Sequence, residues 1–299
     1  MNWEVTWMEW IQAHLGSWGG GLASVLSMLG EELVLVALLG FIYWCYDKKW
    51  GAYVGTNLMA ALAWNPMIKN LVLRPRPYME HSAIRCLKPV EPEADIMDLT
   101  AQGYSFPSGH SSNAATVYGS LRAYKKNRVL TVLMIVLPLL VGVSRVMVGV
   151  HYPTDVLCGW ALGAIVVLFG TWLQRRCAKR WIAQLILLVL ALPGIFYCRS
   201  SDYFTALGMM IGFFAACAFE ERYVHFQNTR SILWSILRVA VGLGLFLGLN
   251  SVLKLPFSKE FLDSATMGAF LVRTLRYAVV VFLLMAIYPM AFRLEPKKK

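Results

Sequence analysis

The sequence predicts an all-α fold: a polytopic membrane helical bundle of about nine transmembrane helices with an N-terminal interfacial helix. Of the 299 residues, 58% are hydrophobic and only 15% are charged, whereas a soluble domain is about half apolar and about a quarter charged. The mean hydropathy is +0.55, and several apolar runs approach the roughly 20 residues that a helix needs to cross a bilayer. No long polar linker interrupts these runs, which favours one compact bundle.

The N-terminal segment, residues 1–30, is rich in tryptophan and only weakly apolar. Trp3, Trp7 and Trp10 alternate with aliphatic residues, which is typical of an amphipathic helix lying in the membrane interface. Glutamates stand here in place of the basic residues that open a signal peptide, so no cleavable signal peptide is expected.

Nine apolar segments follow, and each predicts a transmembrane helix. The predicted spans cover approximately residues 33–46, 52–73, 109–124, 128–148, 154–173, 181–197, 203–219, 231–253 and 267–292. We divide them into a core of residues 31–175, which carries the polar motifs described below, and additional C-terminal helices in residues 176–299.

The basic residues of the short loops predict the orientation. The net charge is +11, and lysine and arginine in short loops favour the cytoplasmic side. Alternate loops carry Lys48, Lys49, Lys125, Lys126, Arg128, Arg175, Arg176, Lys179, Arg180, Arg222 and Arg230, and the chain ends in Lys297, Lys298 and Lys299. The N-terminus is then outside and the C-terminus cytoplasmic. No basic soluble face is present, so no nucleic-acid partner is expected.

Four cations fall on the outer side, against this bias: Lys69, Arg74, Arg76 and Arg145. Charged groups at membrane depth are costly unless they are paired or bind a ligand. We therefore expect a functional reason for them.

The first polar motif is Lys69-x6-Arg76-Pro77. Pro75 and Pro77 end the helix that carries Lys69, so both cations can reach one anion. An arginine fork suits phosphate and a lysine adds a point charge. The alternative is that both side chains simply snorkel to the interface.

The second motif is Pro107-Ser108-Gly109-His110, which precedes a helix that starts with small polar residues. Ser108 is a candidate helix cap. The amides that follow it would be free to bind phosphate at the helix N-terminus, and glycine permits close approach. His110 can donate a proton to a leaving oxygen. An ordinary capped helix is the alternative.

The third motif runs from Ser144 to Asp155 at the junction of two apolar segments. It brings together Arg145, His151 and Asp155. A carboxylate held against one ring nitrogen of a histidine leaves the other nitrogen as nucleophile or base. The alternative is a polar loop that happens to contain a histidine.

All three motifs fall on one predicted face of the membrane, so we interpret them as one phosphate-binding site. No metal and no cofactor are expected, because three cations can hold the anion without one. The nearby acidic residues are interpreted as a solvated loop: Glu80, Glu91, Glu93, Asp95 and Asp98. The six cysteines lack metal-ligand spacing, and pairing of Cys86 with Cys198 is left open.

Taken together, the three motifs resemble the tripartite signature of the type-2 phosphatidic acid phosphatase superfamily, over about residues 69–155. This family includes lipid phosphate phosphatases, polyprenyl diphosphate phosphatases and the soluble vanadium haloperoxidases. The predicted nine-span topology is similar to that of the glucose-6-phosphatase and sphingosine phosphate phosphatase branches.

The resemblance implies a phosphatase of lipid metabolism and a role for each site residue. His151 would attack phosphorus and become a phosphohistidine, Asp155 would orient it, and His110 would protonate the leaving group and then activate water. The substrate phosphate would be held by Lys69, Arg76, Ser108, Gly109 and Arg145.

We therefore expect an integral protein of the cell membrane whose site faces outward and meets a lipid phosphate among membrane lipids. The sequence leaves three alternatives open: phosphoryl transfer to a lipid or sugar acceptor, hydrolysis of a soluble phosphosugar, and a lipid-binding or transport protein with a vestigial site. It carries no indication of the oligomeric state.

Overall fold

The computed structural model describes residues 3–294, without the side chains of Ser17 and Leu294. The described residues form helices and no strand, so the predicted all-α fold is confirmed. Lys297, Lys298 and Lys299, which were used to predict the orientation, lie outside the described residues.

Fifteen α-helices of very unequal length follow one another along this part of the chain. They are α1 (Trp3–His14), α2 (Gly16–Met28), α3 (Glu32–Phe41), α4 (Lys48–Val72), α5 (Pro77–Glu80), α6 (Leu99–Gln102), α7 (Gly109–Tyr124), α8 (Arg128–Met147), α9 (Pro153–Arg176), α10 (Arg180–Ala191), α11 (Gly194–Tyr197), α12 (Ser201–Phe219), α13 (Ile232–Val252), α14 (Lys259–Asp263) and α15 (Met267–Phe282). Short π-helical turns continue α3, α12 and α15, and a 3-10 segment runs from Tyr288 to Leu294.

Helices lie at all nine predicted spans, but the count of nine transmembrane helices is not confirmed. Within residues 3–294, six helices are long and apolar enough to cross a membrane: Arg128–Met147, Pro153–Arg176, Arg180–Tyr197, Ser201–Val224, Ile232–Val252 and Met267–Arg293. A seventh span results if the pair Trp18–Met28 and Glu32–Tyr46, bent by 42°, is counted as one. The chain is an integral membrane protein.

Two of the predicted spans, residues 52–73 and 109–124, are not among these helices, and their polar residues and lengths explain why. Helix α7 has only 16 residues and begins with Gly-His-Ser-Ser-Asn. Helix α4 has 25 residues but carries three lysines and three asparagines. Both helices carry residues of the polar motifs, Lys69 in the last turn of α4 and His110 at the start of α7.

The contacts divide the chain into two compact units. One comprises the described residues up to Leu35 together with Trp64–Thr171, and the other comprises Val36–Ala63 together with the described residues from Trp172 onward. All three polar motifs lie in the first unit. The predicted boundary after residue 175 stays a prediction.

Two glycines of α9 bring α7 close to α9. A Cβ atom at Gly159 would lie 2.6 Å from the Ser108 carbonyl oxygen, and one at Gly163 would lie 2.7 Å from the Ser112 carbonyl oxygen. Small residues let the backbones of membrane helices approach in this way. The start of α7, with His110, therefore lies beside the start of α9.

The loop between α8 and α9 depends on Gly149. Its φ is +80°, and a Cβ there would lie 2.2 Å from the Arg85 carbonyl oxygen. An L-residue would be strained in that conformation and would clash as well. Val148 and Val150 on either side are fully buried, so the loop is fixed on both sides of its glycine.

Candidate active site

Direct hydrogen bonds join the three polar motifs. Arg76 Nη1 donates to the Val150 carbonyl at 3.0 Å, which links the first motif to the third. The Ser108 amide donates to the Asp155 carbonyl at 2.9 Å, which links the second motif to the third. Segments far apart in the sequence therefore converge on the loop that carries His151.

His151 lies between α8 and α9 and is only 2% exposed. Its Nδ1 is 3.6 Å from Asp155 Oδ2, which is longer than a hydrogen bond. Asp155 is fully buried. Its Oδ2 accepts from the Tyr152 amide at 2.8 Å, and its Oδ1 accepts from Arg74 Nη1 at 2.9 Å. Asp155 is thus held beside the imidazole by Arg74 and the loop backbone.

Burial and nearby cations keep the His151 imidazole neutral. Burial lowers its pKa well below the usual value of 6.5, and the charges of Arg76, Arg145 and Lys69 lower it further. The Ser105 backbone opposes this shift only in part. The neutral form is the one that can act as a nucleophile.

This pKa predicts the acid side of the pH–rate profile. Protonation removes the nucleophile only as the pH falls through the lowered pKa, so the acid limb of kcat/KM that belongs to His151 should lie below pH 6.5. Lys69→Gln removes one of the cations and should move this acid limb to higher pH. Comparing both proteins on one substrate cancels the ionisation of the substrate. A limb at or above 6.5, or one that Lys69→Gln leaves in place, contradicts the assignment.

His110 is the second residue of α7 and is partly exposed, unlike His151. Burial lowers the pKa of His110 well below its usual value of 6.5, and the charges of Arg145, His151, Lys69 and Lys88 lower it further. Both histidines therefore share a cationic environment. His110 as a whole residue is the more exposed of the two, which favours it as the partner of the leaving group.

Ser108 caps α7, as predicted. Its Oγ accepts from the Ser111 amide at 3.4 Å and from the Ser111 hydroxyl at 2.9 Å. Because both of these bonds use Ser108 Oγ as acceptor, the hydroxyl hydrogen remains available to a phosphate oxygen.

The protein itself does not require a glycine at position 109. A Cβ atom there would lie 3.5 Å from Asn65 Oδ1, which is an ordinary contact. The predicted phosphate contacts of Ser108 and Gly109 stay predictions.

Arg76 and Arg145, which the sequence places in the same role, have different partners. Both side chains are 2% exposed. Arg76 Nε donates to the carbonyls of Gln102 and Gly103 at 2.9 and 3.0 Å, and its Nη2 donates to Gln102 at 2.6 Å. Together with the bond to Val150, these contacts cross-link two loops.

Arg145 has far fewer partners. Its Nη1 donates to Ser27 Oγ at 2.6 Å, and its Nε has no hydrogen-bond partner among residues 3–294. A buried guanidinium with one neutral partner is costly. The negative charge of Glu31 acts on Arg145, but an anion beside the guanidinium would supply the missing hydrogen bonds and a closer countercharge.

The sequence did not indicate the partners of several residues around the site. Arg74 was predicted to be a cation on the outer side, but its ion pair with Asp155 was not predicted. Lys88 pairs with Glu31 and acts on His110. These residues belong to elements distant in the sequence, so no spacing pattern could connect them. Lys69 lies in the last turn of α4 and acts on both histidines.

The described part of the chain contains no group of three or more His, Cys, Asp or Glu side chains that could hold a metal ion. Its six cysteines form no disulfide. The metal-free chemistry predicted from the sequence stays a prediction.

A helical membrane protein in which two histidines, a buried carboxylate and several cations converge is equipped for phosphoryl transfer. Comparison with known families agrees with this class. Residues 50–180 match the PAP2 superfamily, and residues 204–299 match the PAP2 superfamily phosphatase, transmembrane extension.

Curated relatives carry phosphatase names. The decaprenylphosphoryl-5-phosphoribose phosphatase of Mycobacterium tuberculosis is 34% identical over 168 residues, which are 54% of this chain and 86% of that protein. The undecaprenyl-diphosphatase BcrC of Bacillus subtilis is 31% identical over 153 residues, which are 50% of this chain and 72% of that protein. Phosphatidylglycerophosphatase B of Bacillus subtilis is 30% identical over 149 residues, which are 45% of this chain and 63% of that protein. No solved structure matches the chain.

The chain belongs to the PAP2 superfamily. The predicted family and the predicted enzyme class, a phosphatase, are confirmed.

Proposed function

We propose that this protein hydrolyses lipid phosphates or diphosphates through a phosphohistidine on His151. The observation that carries the proposal is the neutral, buried His151 beside Asp155 and among the charges of Arg76, Arg145 and Lys69. The names of the relatives support a lipid-linked substrate. They are a decaprenylphosphoryl-5-phosphoribose phosphatase, an undecaprenyl-diphosphatase and a phosphatidylglycerophosphatase.

In the first step, His151 attacks phosphorus in line with the bond to the leaving oxygen. Asp155 faces Nδ1, so Nε2 is the nitrogen that forms the new N–P bond. The P–O bond breaks as His110 donates a proton to the leaving oxygen. The negative charge of the bound phosphate offsets the cations that keep this imidazole neutral in the free protein, so His110 is protonated in the complex. Arg145 and Lys69, with the hydroxyl of Ser108 and the amide of Gly109, stabilise the charge on the equatorial oxygens.

In the second step, His110 takes a proton from water, which attacks the phosphorus of the phosphohistidine. The N–P bond breaks, and inorganic phosphate and free His151 are released. Arg76 contributes its charge, and through its carbonyl contacts it also holds the His151 loop in place.

Phosphate release from a panel of substrates tests this proposal. The purified protein in nanodiscs is given phosphatidate, phosphatidylglycerophosphate, a polyprenyl diphosphate, a sphingoid phosphate and a hexose phosphate. We expect turnover of at least one lipid substrate that EDTA leaves intact and vanadate inhibits. Turnover of the hexose phosphate alone would move the substrate class to soluble sugars. Transfer of the phosphoryl group from a labelled substrate to an acceptor lipid would indicate a transferase. No turnover of any substrate would favour a binding protein.

The lysines and arginines of alternate short loops also support a site at the extracytoplasmic face of the plasma membrane, with the C-terminus in the cytoplasm. Sealed right-side-out vesicles should hydrolyse an impermeant short-chain substrate added from outside. Activity that appears only after permeabilisation would place the site on the cytoplasmic side.

A further inference from the structure

Helix α1 reaches the candidate active site through Glu4, which is only 5% exposed. Glu4 Oε2 accepts from Arg74 Nη2 at 2.7 Å. Its Oε1 accepts from the Thr154 amide at 3.0 Å and from the Thr154 hydroxyl at 2.7 Å. Since Arg74 Nη1 donates to Asp155 Oδ1, a continuous chain of charged groups runs from α1 to the carboxylate that faces His151.

The charges along this chain alternate, so each group orders the next. Burial alone would raise the pKa of Glu4, but hydrogen bonds from Thr154 and Arg74 hold it below its usual value. Glu4 is therefore ionised at neutral pH. The guanidinium of Arg74 lies between two carboxylates and 3.6 Å from the centre of the Tyr152 ring, which fixes the direction of its fork toward Asp155.

The other end of α1 holds the start of the same loop. Gln12 is 4% exposed, and its Nε2 donates to the carbonyls of Arg85 and Met147 at 2.8 and 3.2 Å. Its Oε1 accepts from the Arg85 amide at 2.9 Å. Between Gln12 and Glu4, Val5 and Met8 pack in the core with the valines of the loop. Helix α1 thus contacts the segment from Met147 to Thr154 at both ends.

The opposite face of α1 presents tryptophans. Trp3, Trp7 and Trp10 are 61%, 51% and 58% exposed, and their spacing of four and three residues places them on one side of the helix. Tryptophan is enriched at the level of the lipid headgroups, where its ring is amphipathic like the interface itself. In an integral membrane protein, the occupant that suits this face is the bilayer interface.

We infer that α1 is a positioning element of the reaction: its tryptophan face rests in the membrane interface, and Glu4 positions Asp155 through Arg74. Glu4 reaches Asp155 through Arg74, so it is a positioning residue and not a catalytic one. The inference rests on the proposed function, because it assigns a part in that reaction to a helix outside the signature motifs.

Glu4→Gln tests the inference against Glu9→Gln, which makes the same change on the same helix at a partly exposed position. In nanodiscs, Glu4→Gln should lower kcat by about 10- to 100-fold, the loss seen when the hydrogen-bond partner that orients a metal-binding residue is removed. KM should change little, because the phosphate-binding cations remain. Glu9→Gln should resemble the wild type.

A double-mutant cycle separates positioning from a general structural role. If Glu4 acts through Arg74, Glu4→Gln should change kcat by less than about twofold in an Arg74→Ala background, because coupled residues are not additive. Glu4→Asp keeps the negative charge but has a shorter side chain, so it should give a kcat between those of the wild type and Glu4→Gln. This variant tests the inference if Glu4→Gln does not fold. Equal effects of Glu4→Gln and Glu9→Gln, or independent effects of Glu4→Gln and Arg74→Ala, would overturn the inference.

The membrane contact is tested with Trp7→Ser combined with Trp10→Ser. This variant should lower kcat in nanodiscs and should have little further effect when Glu4→Gln is present. Trp181→Ser, at another exposed tryptophan (50%), serves as the matched control and should leave kcat unchanged. An unaffected Trp7/Trp10 variant would refute the part played by the interface. A wild type with no turnover on any substrate would instead refute the proposed function, which keeps the two failures distinct.

Discussion

His151→Ala is expected to lower phosphate release by at least about 10³-fold, because it removes the nucleophile that forms the covalent intermediate. Residual turnover would come from direct attack of water on a phosphate still held by the cations. The measurement is kcat on the best lipid substrate of the panel, with KM recorded separately. KM should change less than kcat, since Arg145, Lys69 and the α7 N-terminus remain.

His225→Asn is the matched control for this variant. His225 is exposed and has a φ of +52°, a left-handed conformation that asparagine tolerates. We expect wild-type turnover from it. If His151→Ala kept turnover within about tenfold of the wild type, well short of the loss typical of a missing nucleophile, another group would have to attack phosphorus.

Arg145→Gln is expected to lower kcat/KM by about 10²- to 10³-fold, the loss that follows removal of a donor aimed at transition-state charge. The same variant should be at least as stable as the wild type. Arg145 is a buried cation with one hydroxyl partner and an unpartnered Nε among the described residues, so its charge is a cost to the folded state. Turnover and thermal unfolding without substrate measure the two effects.

Arg76→Gln should behave in the opposite way with respect to stability. Its guanidinium serves three carbonyls, those of Gln102, Gly103 and Val150. The bonds to Gln102 and Val150 are buried. Leaving a buried carbonyl unsatisfied costs about 1–3 kcal/mol, so we expect a loss of about 2–6 kcal/mol in unfolding free energy for these two. If Arg145→Gln destabilised the protein as much as Arg76→Gln, Arg145 would have a structural role and the distinction drawn between them would be wrong.

The helical fold could be predicted because long apolar runs leave few alternatives in a membrane. The Ser108 cap could also be predicted, because an N-cap is a local arrangement of residues four or fewer apart. The number of nine spans stays a prediction, since α4 carries six lysines and asparagines and α7 has only 16 residues, and neither is among the helices long and apolar enough to identify a span.

The contacts that support the site were beyond the reach of the sequence. Glu4 and Thr154 are 150 residues apart, and Arg74 and Asp155 are 81 residues apart. No periodicity or motif links positions at such distances. The difference between Arg76 and Arg145 was equally hidden, because it depends on where the loop at Gln102 places its carbonyls.

The central claim is that the three motifs form one site in which His151 carries the phosphoryl group. A single-turnover reaction with ³²P-labelled lipid substrate, stopped with alkali and followed by peptide mapping, tests it most directly. We predict an alkali-stable, acid-labile label on the peptide that contains His151, and no such label in His151→Ala. In His110→Ala the label should accumulate where the hydrolysis step is slowed more than the release of the leaving group. Label on another residue, or rapid turnover by a protein in which His151 never becomes labelled, would contradict the account.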